Sequence, residues 1–140
     1  MILFPITTRE EYDYCRTRGY EPLIDAYFEM DIHLRVSIQR ELFGTGHSPE
    51  ENDKFYKWCW QHYPHRCEET MKPLNQYSAT YISHILTRGA HPEMAHDPRN
   101  VNILCFQMHN KWENGDRESM RIYRKNQLVI DKLKKEYYGI

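Results

Sequence analysis

Residues 78–115 combine two strand-like segments, a turn-rich loop and a short helical pattern. The first segment, SATYISHIL, is rich in β-branched and aromatic residues, and its alternation places Thr80, Ile82 and His84 on one face. The loop TRGAHPEMAHDPRN contains one glycine and two prolines, and VNILC then has the composition of a second strand. FQMHNKWENG has the length of a compact helix that ends at Asn114-Gly115. The sequence therefore predicts the order strand, loop, strand and helix.

The N-terminal half is predicted to be mostly helical. A short helix follows Thr7 and Thr8 and is expected to stop at Gly19. A longer helix is expected over residues 22–43, where apolar residues recur at spacings of three and four. Ser48-Pro49-Glu50-Glu51 combines a capping box with proline at the first helical position, so it predicts a helix over residues 49–62.

The C-terminal residues 117–138 have an apolar stripe and many Lys and Arg, which predicts one helix with a basic outer face. The chain is thus expected to be α+β: a helical region over residues 1–63, a core over 64–115 and a terminal basic helix over 116–140. With 140 residues and 40% hydrophobic content, these regions are expected to form one compact domain.

Several side chains that can bind metals lie between the first predicted strand and the predicted short helix. His109 and Glu113 are four residues apart, so a helix places them on one face, close enough to hold one ion or to form an ordinary hydrogen bond. His84 ends the first strand, where it is either a general base or a structural histidine. Asn100 is either a site residue or a turn residue.

The string SHILTRGAHPEMAHDPRNVNILCFQMHNKWE resembles the signature of the HNH endonucleases, which have the ββα-metal fold. The three signature positions fall on His84, Asn100 and His109. The string is most similar to an HNH subgroup of phages and bacteria, in which a His-Ile-Leu strand end, a Lys/Arg-Gly turn and an Asp-Pro-x-Asn loop end recur. The resemblance covers residues 64–115.

This resemblance implies that the protein hydrolyses DNA phosphodiester bonds with one divalent metal. His84 would be the general base, Asn100 would hold it in one orientation, and His109 and Glu113 would bind the ion. Mg²⁺ suits so few protein ligands, although Mn²⁺, Ni²⁺ or Zn²⁺ would also accept a histidine. Many relatives have an additional ligand before the first histidine, where this chain has Ser83. Asp97 or His96 would then complete the site.

The resemblance also raises the question of a structural zinc, because many relatives carry two C-x-x-C pairs. Here the corresponding positions read Cys67-Glu68-Glu69-Thr70 and Cys105-Phe106-Gln107-Met108, so each pair retains one cysteine. Structural zinc requires four Cys or His ligands, and we therefore expect none. The four cysteines of the chain are expected to be reduced thiols.

The formal net charge is −1, but the charge is unevenly distributed. Residues 1–63 carry seven Lys/Arg and eleven Asp/Glu, whereas residues 64–140 carry twelve and nine. A solvated basic face is one interpretation, and contact with DNA phosphates is the other. The residues expected to make such contacts are Arg88, Arg99, Lys111, Arg117 and Arg121.

The sequence has neither a secretory leader nor an apolar run of about 18 residues, so a cytoplasmic protein without a membrane span is expected. The favoured function is a metal-dependent endonuclease. The alternative is an HNH-like module with little or no catalytic activity that binds nucleic acid or mediates assembly. The oligomeric state stays open, and a dimer is compatible with the sequence.

Overall fold

The computed structural model describes residues 8–18 and 30–140, except for the side chain of Arg16. In this part of the chain, five α-helices and one antiparallel pair of short strands give a mixed α+β structure, which confirms the predicted class. The elements are α1 (Arg9–Thr17), α2 (Ile32–Phe43), α3 (Pro49–His62), β1 (Ile82–His84), β2 (Val101–Ile103), α4 (Phe106–Asn114) and α5 (Tyr123–Tyr138).

The predicted order strand, loop, strand and helix is present. β1 pairs antiparallel with β2, so that Ile82 faces Ile103 and His84 faces Val101. α4 follows directly and ends at Gly115, whose backbone N–H donates to the carbonyl of Lys111. The first strand is shorter than the predicted segment 78–86, because residues 79–81 form a 3₁₀ turn capped by the Ser78 hydroxyl.

Helix α3 agrees with its predicted bounds. The Ser48 hydroxyl accepts a hydrogen bond from the Glu51 backbone N–H at 3.2 Å, and the Glu51 carboxylate accepts one from the Ser48 N–H at 3.0 Å. This reciprocal pair is the predicted capping box, and Pro49 occupies the first turn.

Helix α2 begins later than predicted. Asp31 is extended, and its carboxylate accepts a hydrogen bond from the His33 N–H at 2.9 Å, so the helix begins at Ile32. It ends at Gly44, whose φ of 92° is in the region that favours glycine. Residues 22–29 of the predicted helix, like the predicted stop at Gly19, lie outside the described residues.

The predicted single helix over residues 117–138 is also wrong at its start. Residues 117–119 form a separate 3₁₀ turn, Met120 is extended, and α5 begins at Tyr123. The cause is Glu69, whose carboxylate accepts hydrogen bonds from the backbone N–H groups of Arg121 and Ile122 at 2.9 and 3.0 Å. The Glu69 carboxylate therefore replaces the backbone carbonyls of a preceding helical turn as the acceptor for these two N–H groups.

Three hydrophobic clusters hold the elements together. One joins α1 to α2, the second joins α2 and α3 to the two strands, and the third lies between the strands, α4 and α5. Representative buried members are Tyr12 and Ile38 in the first, Phe55, Val101 and Ile103 in the second, and Leu104, Trp112 and Ile130 in the third. The second cluster lies directly behind β1, so α3 supports the strand that carries His84. Within the described ranges, no helix is both long and apolar enough to cross a membrane.

Candidate active site

A cleft of about 420 Å³ lies between α3, α4, β1 and the loop that follows β1. Four of the side chains predicted to be functional line it: His84, Arg88, His109 and Glu113. The other walls include Tyr56 of α3 and the 3₁₀ turn at residues 79–81. The ββα unit thus brings together residues that are up to 29 positions apart.

His84 is held in one orientation by a backbone carbonyl. Its Nε2 lies 2.9 Å from the carbonyl oxygen of Ala95, and because a carbonyl can only accept, Nε2 carries the proton. The other ring nitrogen, Nδ1, then keeps a lone pair that can take a proton. Burial lowers the pKa of His84, the nearby charge of Arg88 adds to this effect, and the hydrogen bond to Ala95 opposes it. The ring is therefore neutral near pH 7, the form that a general base needs.

Asn100 is fully buried and ties the loop to the end of β1. Its Oδ1 accepts a hydrogen bond from the Leu86 N–H at 2.8 Å, and its Nδ2 donates to the carbonyls of Leu86 and Met94 at 2.9 and 3.3 Å. Met94 directly precedes Ala95, the hydrogen-bond partner of His84. These hydrogen bonds are of the kind expected for a residue that positions His84 indirectly.

His109 has an acceptor at each ring nitrogen. Its Nε2 lies 2.9 Å from Oε1 of Glu113, and its Nδ1 contacts the carbonyl oxygen of Thr80. A neutral imidazole has only one N–H, so it can satisfy only one of these acceptors. In one case Nε2 donates to the Glu113 carboxylate; in the other Nδ1 donates to Thr80, and the Nε2 lone pair and the Glu113 carboxylate would together hold a cation. The first case is the helical hydrogen bond considered above, and the second is metal binding.

The donor set of His109 and Glu113 fits a divalent ion. An imidazole nitrogen and a carboxylate oxygen are ligands for Mn²⁺, Ni²⁺ and Zn²⁺, and the carboxylate also suits Mg²⁺, which keeps several waters. Both side chains line the open cleft, where water and a substrate oxygen can complete the coordination.

The additional ligands considered from the sequence do not reach this cleft. Asp97 is fully buried and accepts hydrogen bonds from Arg99 and from the Tyr137 hydroxyl. His96 is buried beside Asn52, with its Nε2 2.8 Å from Oδ1 of Asn52. Ser83 is also buried. Across residues 8–18 and 30–140, no group of three or more His, Cys, Asp or Glu side chains gathers around one point.

One predicted contact with DNA needs correction. Arg99 is only 7% exposed and forms ion pairs with Asp97, at 3.2 Å, and with Glu136, so it is not available to a phosphate. The ion pair between Arg99 and Glu136 joins the loop before β2 to α5. A buried guanidinium needs carboxylate partners of this kind to offset its loss of hydration.

The other predicted basic residues differ in their surroundings. Arg88 is exposed in the cleft, and Lys111 is partly exposed on α4. Arg117 lies over the Trp112 ring, with its Cζ 4.6 Å from the ring centroid. Arg121 is exposed and lines a second cleft, together with Glu68. Of the five predicted residues, only Arg88 lies in the cleft with His84.

Cys67 and Cys105 are free thiols in the same part of the structure. Burial alone would raise the pKa of Cys67, but hydrogen bonds from Thr70 and from backbone N–H groups, including that of Cys105, outweigh it and lower the pKa. The Thr70 N–H lies 3.5 Å from the Cys67 sulfur. The two residues after Cys67 bind backbone groups elsewhere: Glu68 accepts a hydrogen bond from the Ile103 N–H of β2, and Glu69 accepts two from the segment before α5.

Sequence reasoning missed three groups that line the cleft or hold its histidines in place. Tyr56 lies in α3, outside the region that carries the resemblance, and no local pattern marks it. The carbonyls of Thr80 and Ala95 belong to a turn and a loop whose backbone directions depend on the tertiary structure. None of these groups has a side-chain pattern that a sequence could reveal.

Comparisons with known proteins give only partial matches. Maturase K of Pseudotsuga menziesii is 34% identical over 75 residues, which is 53% of this chain and 14% of that protein. The Maturase K proteins of Ginkgo biloba and Larix laricina are 34% and 33% identical over 64 residues, or 45% of this chain and 12% of each protein. The chain therefore spans a small fraction of these relatives. No protein-family model and no solved structure matches it.

Proposed function

We propose that this protein is a metal-dependent endonuclease of the HNH type, with its ββα-metal core in residues 64–115, that hydrolyses phosphodiester bonds in DNA. The observation that supports this most strongly is the shared cleft. His84, whose Nδ1 carries no proton, lines this cleft, and so do His109 and Glu113 of α4. A base and a cation site close together are what phosphodiester hydrolysis requires.

In this mechanism, His84 acts on a water molecule. Nδ1 takes one proton from the water as its oxygen attacks phosphorus, the bond from phosphorus to the 3′ oxygen breaks, and the 3′ oxygen is protonated by solvent. Asn100 keeps the loop and Ala95 in place, so the His84 ring does not rotate away from the attacking water. A divalent ion, when bound by His109 and Glu113, would stabilise the charge on the phosphate and on the leaving oxygen.

Mg²⁺ is the expected ion, because only two protein ligands are available and Mg²⁺ retains waters. Mn²⁺, Ni²⁺ and Zn²⁺ are the alternatives that a histidine ligand allows. No structural zinc is included in the proposal, because Thr70 and Met108 occupy the positions of two of its ligands.

A second candidate function is a nucleic-acid-binding module that does not cleave. The partial similarity to proteins named Maturase K and the small number of metal-capable side chains in the cleft favour this candidate. In that case His109 and Glu113 would form only their helical hydrogen bond.

A nicking assay on supercoiled plasmid DNA separates the two candidates. The protein would be incubated with Mg²⁺, Mn²⁺, Ni²⁺ or Zn²⁺, and a single-stranded RNA would be tested in parallel. The endonuclease proposal expects nicking that falls by about 10²–10⁴-fold in His84→Ala, the contribution of a general base. The matched control is His33→Ala, which removes an exposed histidine of α2 outside the cleft and is expected to nick normally.

Two outcomes would disprove the endonuclease proposal. One is the absence of nicking with all four ions, and the other is undiminished nicking by His84→Ala. Binding of nucleic acid without nicking would support the second candidate.

A further inference from the structure

The cleft contains a pair of hydrogen-bonded side chains from two distant parts of the chain. Arg88, in the loop after β1, donates from Nη1 to the Tyr56 hydroxyl of α3 at 2.9 Å. Both residues line the cleft that contains His84, and the Tyr56 ring lies edge-on to the His84 ring with centroids 6.1 Å apart. The helical region therefore contributes directly to the walls of the proposed active site.

This pair has N–H and O–H groups that donate to no acceptor in the part of the chain that the structure describes. A phenol oxygen can accept a hydrogen bond and also donate its own proton, and a guanidinium has five N–H groups. Among residues 8–18 and 30–140, Arg88 donates only to Tyr56, and the Tyr56 proton has no acceptor. The remaining donors face an open cleft and would suit a ligand with several acceptor oxygens and a negative charge.

The protonation of Tyr56 agrees with a donor role. Burial raises the pKa of Tyr56, and Arg88 opposes this shift without cancelling it. The phenol therefore keeps its proton at neutral pH. An arginine beside it supplies the charge and the planar fork that phosphate oxygens match.

We propose that Tyr56 and Arg88 together form a phosphate clamp, in which the phenol holds one guanidinium nitrogen and both side chains donate to the oxygens of the phosphodiester that is cleaved. This inference rests on the proposed nuclease function for the identity of the phosphate. The clamp would place the phosphate beside His84 and opposite His109 and Glu113. It also gives α3 a part in the chemistry, beyond its role in packing.

Three variants test the clamp. Tyr56→Phe removes only the hydroxyl, Arg88→Lys keeps the charge without the fork, and Arg88→Ala removes both. Binding of a fluorescent DNA duplex would be measured by anisotropy in EDTA over a range of salt concentrations, and nicking kinetics would be measured with Mg²⁺ or Mn²⁺. The matched control is Tyr77→Phe, because the Tyr77 hydroxyl contacts Asp53 and does not line the cleft.

The expected results are graded. Arg88→Ala lowers duplex affinity by about tenfold. It also makes the plot of log affinity against log salt concentration less steep, by the roughly 0.9 that one lost phosphate contact accounts for. Tyr56→Phe lowers affinity by roughly threefold and kcat/KM by about tenfold. Without the Tyr56 hydroxyl, the Arg88 guanidinium is less well placed to stabilise the negative charge that develops on the phosphate oxygens in the transition state. Arg88→Lys recovers part of the affinity but little of kcat. The double variant Tyr56→Phe/Arg88→Ala loses less than the product of the two single losses, because the Tyr56 hydroxyl also holds the guanidinium and the two residues are coupled.

The outcomes also separate this inference from the nuclease proposal. If the unmodified protein does not nick but Tyr56→Phe and Arg88→Ala weaken duplex binding, the clamp is supported and the nuclease is not. If both variants bind the duplex as the unmodified protein does, the clamp is disproved, whatever the nicking result. Losses in the double variant equal to the product of the single losses would also overturn it. Urea unfolding of each variant verifies that the affinities refer to folded protein.

Discussion

Substituting asparagine for Asp97 would remove a negative charge from the most buried ionic cluster described in the molecule. The Asp97 side chain is fully buried and accepts hydrogen bonds from the Arg99 backbone at 2.9 Å, the Arg99 guanidinium at 3.2 Å and the Tyr137 hydroxyl at 2.9 Å. Arg35, which is 1% exposed, lies in the same cluster and pairs with Glu136. Two guanidinium groups and two carboxylates balance each other. The substitution leaves one positive charge in excess.

The magnitude follows from the partners that remain. Removal of one partner from a buried ion pair costs about 3–5 kcal/mol. Arg99 would still contact Glu136, which is partly exposed, so we expect the lower end, about 3 kcal/mol. The amide of asparagine would also present N–H groups toward existing donors. For a chain of this length, the loss corresponds to a decrease in Tm of about 10 °C.

Urea unfolding monitored by tryptophan fluorescence would measure this loss. The matched control is Asp53→Asn, which removes the carboxylate of an exposed pair with Lys57, 2.8 Å apart. That pair is expected to contribute less than about 1 kcal/mol. If Asp97→Asn were within about 1 kcal/mol of the unmodified protein, with an unchanged dependence on urea, the assigned role of the buried cluster would be refuted.

Three further predictions concern His84, His96 and Glu69. Burial lowers the pKa of His84, and a general base must be neutral to accept a proton. The nicking rate should therefore rise with pH below 6.5 and level off near neutrality. A pH–rate profile with its midpoint above 6.5 would contradict this assignment. Burial, with the charge of His47, lowers the pKa of His96 to about 4, so the unfolded state binds more protons between that value and 6.5. Stability should therefore decrease as the pH is lowered from 6.5 to about 4, by at most about 3 kcal/mol. Urea unfolding of His96→Gln should show a flatter profile, while an unchanged profile would exclude His96 as the cause. Glu69→Ala should lower the free energy of unfolding by about 1–3 kcal/mol, because two backbone N–H groups lose their acceptor. It should also speed hydrogen exchange at the start of α5, and unaltered exchange there would show that Glu69 does not hold this segment.

Elements with local signals could be predicted from the sequence. α3 carries its own cap in Ser48 and Glu51, and α4 carries its own stop in Gly115. The start of α5 could not be predicted, since it depends on Glu69, which lies 52 residues before Arg121. Contacts of this kind between distant residues leave no periodic pattern in the chain.

The candidate site also contains residues that local sequence patterns predict and residues that only the tertiary structure reveals. The spacing of His109 and Glu113 follows from helical geometry, and the antiparallel strands bring His84 to the same cleft. Charged residues usually lie at the surface, so the sequence predicts that Arg99 can contact a phosphate, but its position between Asp97 and Glu136 buries it. Tyr56 could not be found, because its distance from His84 arises only when α3 packs against the strands.

The buried cluster of Arg35, Asp97, Arg99 and Glu136 has a consequence for how this chain could be recombined with others. Its members come from α2, from the loop between the strands and from α5, so the ββα unit receives charge partners from both ends of the sequence. A graft of residues 64–115 onto another scaffold would carry Asp97 and Arg99 but leave Arg35 and Glu136 behind. The recipient would need a carboxylate at the place of Glu136, because without it the loop beside the candidate site would lack part of its anchor.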